Sequence, residues 1–280
     1  MLEGNVMEQR PEPFYLSPEK KKCSRALYEE VFAEDSGRFV DFYYTYKTRE
    51  NQILALVQDG MLVSMLHLNP YRMIVNGYET PANYIVAVAT KKECRHQGYM
   101  RMLLEKALKD MGDQGMPFTF LMPASEKIYA PFDFVWICSY TNLPPRVGQM
   151  DADGQNRYLA SRYQVFCKRD RTYMENLAAE RKAEEGEAAP EKMPPFMARI
   201  TDVCQMLRMV HSHKEQRLYL QVHDSLIRNN DGWFCWDVSV DYSRVQKLRV
   251  CPKKIDLDLT VGELTVLIFG ELKICLSETV

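Results

Sequence analysis

The chain has 280 residues, with 36 Lys and Arg against 38 Asp and Glu, 46% hydrophobic and 26% charged residues. That make-up excludes collagen-like and wholly disordered chains and allows about two globular domains. A net charge of −2 without a long basic run leaves no footprint for nucleic acid. No stretch reaches the ~18 apolar residues of a membrane helix, and MLEGNVMEQRPEP lacks the apolar core of a secretory leader. The expectation is a cytoplasmic protein with no nucleic-acid or membrane partner. The eight cysteines stand singly, and His211 and His213 lie two apart outside any close Cys/His cluster of zinc-ligand spacing, so no metal is expected.

Ser17 and Pro18 punctuate the start of a first helix, with Cys23, Ala26, Leu27 and Val31 on one face. After Asp35-Ser36-Gly37, a second helix strings Phe39, Phe42, Tyr43 and Tyr46 along one stripe. Asp59-Gly60 separates strands Ile53–Gln58 and Met61–Leu68, and Asn76-Gly77 separates Arg72–Val75 from Tyr78–Thr80. Both dipeptides favour hairpins, so an antiparallel meander is predicted. The nearly unbroken apolar run Tyr84–Thr90 predicts a buried strand. Met100, Leu103, Leu104, Ala107, Leu108 and Met111 then recur at helical spacing up to Gly112. Phe118–Met122, Ser125–Phe132 and Phe134–Cys138 read as strand, short helix and strand, giving a mixed α/β sheet. Met174–Pro195, rich in Glu, Lys, Ala and Pro, reads as a charged helix running into a solvated linker. Beyond it lies a small α+β unit: strand Met197–Ile200, helix Val203–Val210, strands Leu218–Val222, Trp233–Val240, Gln246–Val250 and Asp256–Leu259, and helix Val261–Phe269.

The most informative segment is the strand-loop-helix junction Val88-Ala89-Thr90 through Arg95-His96-Gln97-Gly98-Tyr99-Met100. A basic residue and a glycine at a helix entry let backbone amides converge on an anion that the helix dipole also favours. On its own, Arg-x-x-Gly also fits an ordinary helix start.

In that context the segment closely resembles the acetyl-coenzyme A signature of the GCN5-related N-acetyltransferase (GNAT) family, Arg/Gln-x-x-Gly-x-Gly/Ala, with Met100 in place of the usual small last residue. The resemblance implies acetyl-CoA as co-substrate, the Arg95–Met100 loop holding its pyrophosphate, and Val88, Ala89 and Thr90 pairing with its pantetheine arm. Pro123–Phe134, ending Phe132-Asp133-Phe134, looks like the donor-site motif of the enhanced intracellular survival (Eis) branch, with Asp133 where Gly is usual. The blocks PFMARITDVCQML to DLDLTVGELTVLIFGE are similar to that branch's sterol-carrier-protein-like domain. The implied organisation is an acetyltransferase domain over 1–143, a linker and remnant of a central domain over 144–195, and a sterol-carrier-like domain over 196–280. Against the Eis pattern, the central domain and the tail are short.

Acetyl transfer from a thioester needs a neutral amine, a donor for the oxyanion and a proton for the departing thiolate. The resemblance implies Tyr129 as that acid; the plainer alternative is that its ring packs beside Phe132. A backbone amide near Val88 is the implied oxyanion donor. For the base, the resemblance suggests a carboxylate at Val280, while Glu34, Asp35 and Asp41, beside an aromatic stripe containing Phe39 and Phe42, are alternatives that read equally well as solvated charges. An acidic, aromatic pocket would favour a cationic acceptor such as an aminoglycoside, polyamine or lysine amine. A lipid-binding or oligomer-forming module, or a non-catalytic CoA binder, is the competing reading, with Trp233, Phe234, Trp236, Leu264, Leu267, Ile268 and Phe269 either lining a cavity or filling a core. A homo-oligomer stays open.

Overall fold

The structure, a computed structural model, describes residues 11–186 and 193–280. In chain order the strands are β1 Phe14–Tyr15, β2 Gln52–Gln58, β3 Met61–Val75, β4 Tyr78–Thr90, β5 Phe118–Leu121, β6 Val135–Cys138, β7 Val165–Cys167, β8 Phe196–Ile200, β9 Gln216–His223, β10 Gly232–Val238, β11 Ser243–Leu248, β12 Leu257–Thr260 and β13 Ile274–Cys275. The helices are α1 Arg25–Val31, α2 Gly37–Thr45, α3 Tyr99–Asp113, α4 Glu126–Tyr129, α5 Pro145–Gly148, α6 Ala152–Ala160, α7 Arg171–Ala183, α8 Val203–Arg208 and α9 Val261–Gly270.

A large mixed sheet runs β1-β2-β3-β4-β5-β8-β6, with β7 added beside the far end of β3 and β13 beside β7; a second sheet runs β11-β10-β9-β12. The expected meander is present but longer. Asp59 and Asn76 take positive φ of 51° and 49°, followed by Gly60 and Gly77 at 75° and 86°, the conformation a type I′ hairpin demands. Arg72–Val75 and Tyr78–Thr80 are not separate short strands: each continues through its proline into β3 and β4, with Pro70 opposite Asn83 and Pro81 opposite Arg72. The first helix also differs, for Pro18–Ser24 is 3-10 and only Arg25–Val31 is α. The helical part of Met174–Pro195 is α7, and the expected linker falls partly on 187–192, outside the described residues.

Phe196–Ile200, assigned by the sequence to the second unit, lies in the large sheet between β5 and β6, antiparallel to both. Its five residues are all buried. One core cluster consequently runs from Leu54 and Leu103 through Phe118 and Phe196 to Phe234, Leu264 and Phe269. Arg199, fully buried, ties the halves together: it donates to the Phe132 carbonyl at 2.7 Å and pairs with Asp224 at 2.7 Å, both ion-pair side chains being 0% exposed. No helix among the described residues is long and apolar enough to cross a membrane.

Candidate active site

Two features of β4 open the site. Its register against β3 shifts between the Met65–Ala89 and His67–Val86 pairs, so Ala87 and Val88 together face one residue of β3. Ala87 sits at φ 50°, a left-handed conformation that an L residue keeps only where the surrounding structure holds it. Toward its other neighbour, β4 pairs in parallel with β5 only at Tyr84–Phe120 and Ile85–Leu121. Past Ile85 the two strands part, and Val86–Thr90 has a free edge.

That edge leads directly into the loop singled out in the sequence. Lys92–Cys94 form a 3-10 turn, His96 and Gly98 take positive φ of 64° and 83°, and α3 begins at Tyr99. The first bond that the helix closes on the loop runs from the Met102 amide to the Gly98 carbonyl, at 3.1 Å. Amides ahead of it are the orphan donors of a helix start. A Cβ built on Gly98 would meet nothing within 4 Å, so open space lies in front of the backbone. Arg95, His96 and Gln97 are exposed; Arg95 Nε donates to the Thr90 carbonyl at 3.2 Å, while Tyr99 is buried, its hydroxyl on Gln58 at 2.7 Å. Open space in front of unpaired helix-start amides is the general requirement of an anion site.

Beside the bulge is a cavity of about 220 Å³ lined by Tyr28, Phe32, Tyr43, Tyr84, Val86 and Ala87, together with Met122 at the end of β5 and Thr279 and Val280 at the end of the sequence. Tyr43 is fixed from behind by a buried polar group. Its hydroxyl lies 3.0 Å from His67 Nδ1, donates to Asn69 Oδ1 at 3.1 Å and accepts from Asn51 Nδ2 at 3.3 Å. Burial depresses the His67 pKa to about 3, so the imidazole is neutral at every ordinary pH. Tyr28 stacks on Tyr43, centroids 5.4 Å apart, and donates to Asp35 Oδ2 at 2.7 Å.

Val280 is held in place: its carbonyl oxygen accepts from the Tyr71 hydroxyl, and the Thr279 carbonyl accepts from Tyr84 at 3.4 Å. Upstream, Glu278 forms a buried ion pair with Arg169 at 2.6 Å and accepts from Tyr173 at 2.9 Å. The segment is thereby stapled between β3, β4 and α7.

Among the predicted residues, the structure brings Val280 to the bulge that precedes Val88, Ala89 and Thr90, and continues that strand into Arg95–Met100. Tyr129 is buried, its ring edge-on to Phe134 at 6.0 Å; it closes α4 but does not line the 220 Å³ cavity. Burial pushes its phenol up to about 12. Glu34 and Asp41 are exposed and outside the cavity, Asp41 being paired with Arg25 at 2.7 Å. Phe39 and Phe42 pack into the aromatic core of α2 rather than the cavity wall. Asp35 does not line the cavity but accepts from Tyr28, which does. The lining aromatics Tyr28, Phe32, Tyr43 and Tyr84 were not read from the sequence, although Tyr43 belonged to the predicted stripe.

A bulged strand splayed from its parallel neighbour and followed by an open helix start is the arrangement of the GNAT fold, the fold of a class of acyltransferases. Residues 15–137 match the acetyltransferase (GNAT) domain family and residues 203–274 the sterol carrier protein domain family, so the chain joins an acetyltransferase domain to a sterol-carrier domain. No curated protein matches it. Similar solved structures include a probable N-acyltransferase from Enterococcus faecalis (13% identity, 92% of this chain and 90% of that one, TM-score 0.67). Others are Eis1 from Mycobacterium abscessus (11%, 93% and 89%, 0.66) and a GCN5-related N-acetyltransferase from Anabaena variabilis (16%, 92% and 90%, 0.65). At these identities the likeness is one of fold.

In the sterol-carrier half, Phe234, Trp236, Leu264, Ile268 and Phe269 are buried. Trp236, Leu267 and Ile268 also border a cavity of about 700 Å³.

Proposed function

We propose that the protein transfers an acetyl group from acetyl-CoA to a primary amine. The observation that carries this reading is the continuity of the Ala87 bulge, the free β4 edge and the open backbone at Gly98 on one strand-loop-helix path. Acetyl-CoA supplies the acetyl group as a thioester. The amides of Gly98–Met100 would hold its pyrophosphate, and the free edge of Val88, Ala89 and Thr90 would pair with its amide-bearing arm in the manner of an added strand. An amide at the bulge, outside the β3 ladder, would donate to the acetyl oxygen as charge develops there; one such donor contributes ~2.7–4 kcal/mol. Tyr129 is the proton donor to the departing sulfur. Fixing the thioester before the amine arrives supplies further acceleration through proximity.

For the acceptor, the aromatic wall of Tyr28, Phe32, Tyr43 and Tyr84 supports a cationic amine docked on π faces, as an aminoglycoside, polyamine or lysine side chain would be. The end of the sequence at Thr279 and Val280 is where that amine would be received. The C-terminal cavity favours a second reading, an apolar ligand in the sterol-carrier half.

Acetyl-CoA should raise the melting temperature, and thiol release should follow when amines from these classes are added. Gly98→Glu should abolish the shift, because a carboxylate would occupy the anion site. Gly98→Ala carries the same left-handed backbone strain without the charge and should keep the shift. Absence of any shift in the wild type would sink the donor site, whereas a shift without turnover on any amine would favour the module reading.

A further inference from the structure

Thr279 and Val280 also border a second cavity, of about 280 Å³, walled by the middle of β3, by α7 and by Ser277–Val280. Inside it stands Lys47, only 4% exposed. Its ammonium lies 4.8 Å from the centre of the Tyr71 ring and donates to the Tyr71 hydroxyl at 3.1 Å. No carboxylate among the described residues forms an ion pair with it. Burial lowers its pKa, and the charges of Glu180, Glu50 and Glu278 only partly offset that effect.

The acidic residues of the same wall are differently placed. Glu278 is spent on Arg169 and Tyr173, and Asp170 caps α7 through the Tyr173 amide at 2.9 Å. Glu50 and Glu180 each show one hydrogen bond, from Asn176 at 2.7 Å and from the Thr279 hydroxyl respectively. A carboxylate offers about four acceptor positions, so both keep free capacity. One cavity thus presents a buried cation without a direct ion pair among the described residues and, within reach of its field, two carboxylates with free acceptor positions. Leaving such a cation unpaired costs free energy that an anionic ligand would recover. The volume equals roughly nine waters at ~30 Å³ each, enough for an amino acid.

We propose that this cavity binds an amino-acid-sized zwitterion, its carboxylate on Lys47 and its ammonium on Glu50 and Glu180. The site is separate from the acetyl-transfer reading and does not rest on it. Its link to the candidate active site runs through Tyr71, which accepts from Lys47 and donates to Val280.

The test is equilibrium binding of the standard amino acids at millimolar concentration to the full chain, by calorimetry. The best binder is then compared with its own decarboxylated amine and its own deaminated acid. Saturable binding of the zwitterion is expected, with both single-charge analogues weaker by at least about tenfold, the usual worth of one charge-assisted hydrogen bond. Lys47→Met should lose at least about tenfold in affinity by the same reasoning, while keeping or raising the melting temperature, since it removes a desolvated charge. If that variant does not fold, methyl NMR of the wild type decides: ligand-induced shifts are expected at Leu177, Thr279 and Val280. The proposal is overturned if no amino acid binds, if the carboxylate-free amine binds equally well, if Lys47→Met binds as the wild type does, or if the shifts fall elsewhere. Acetyl transfer in the absence of such binding would leave the enzyme reading intact and remove this one.

Discussion

Tyr129 shows how far a single side chain can be assigned. With its ionisation pushed up to about 12 by burial, it holds its proton throughout the range in which a thiolate, with a conjugate acid near ~8.5, must be protonated. Tyr129→Phe keeps the ring against Phe134 and removes only the hydroxyl. Turnover should fall ~10²-fold or more, the usual contribution of a positioned acid, with the acetyl-CoA melting shift unchanged; equal turnover would reduce Tyr129 to a packing residue. The rate should also show no Tyr129-dependent loss as pH rises through ~10, the ordinary phenol value. Tyr129 was singled out because a short motif surrounds it, whereas Tyr28 and Phe32, which line the cavity, were not singled out. The predicted apolar face through Cys23, Ala26, Leu27 and Val31 assumed 100° per residue from Pro18 onward. The 3-10 stretch Pro18–Ser24 turns 120° per residue, which rotates the α1 face and points Tyr28 inward.

Among the elements, α7 and the final segment form the joint that sequence patterns conveyed least. Two-residue β13 and three-residue β7 are too short to show periodicity, and the segment's anchors, Arg169, Tyr173 and Glu180, lie about a hundred positions from it in sequence. Glu180 makes this joint sensitive to pH. Burial raises its carboxyl from an ordinary 4.5 to about 7, so the folded state binds its proton more tightly than the unfolded chain does. The stability this confers is complete below pH 4.5 and is lost as pH rises through about 7. Across that window the wild type should lose roughly 3 kcal/mol relative to Glu180→Gln, in which nothing titrates at this position while the other groups remain. Denaturant melts of both proteins at several pH values check it; curves that run parallel would mean that the carboxyl is not desolvated in solution.

At the scale of the whole molecule, composition and charge allowed two domains, and hydrophobic patterning identified most of the strands of both. Which sheet each strand joins was not legible, because pairing is a long-range choice between equally apolar edges and β8 is buried on both faces like any central strand. The large sheet takes in β8, and α9 from the same half packs on it: Phe269 meets Phe118 edge-on at 5.2 Å, and Thr265 accepts from the Ile200 amide at 3.2 Å. A fragment ending at residue 195 would therefore leave β5, buried at all four positions, without its antiparallel partner, and β6 without the one strand it pairs with among the described residues. Both would expose unpaired backbone along an apolar edge, a template for aggregation. Buried Phe118, Phe120 and Phe134 would lose their cover as well. Residues 1–195 expressed alone should show no cooperative thermal transition and no response to acetyl-CoA, and co-expression with residues 196–280 should restore both. A fragment that melts cooperatively and binds the donor by itself would establish that the acetyltransferase half is a self-sufficient domain and that β8 is an accessory to its sheet.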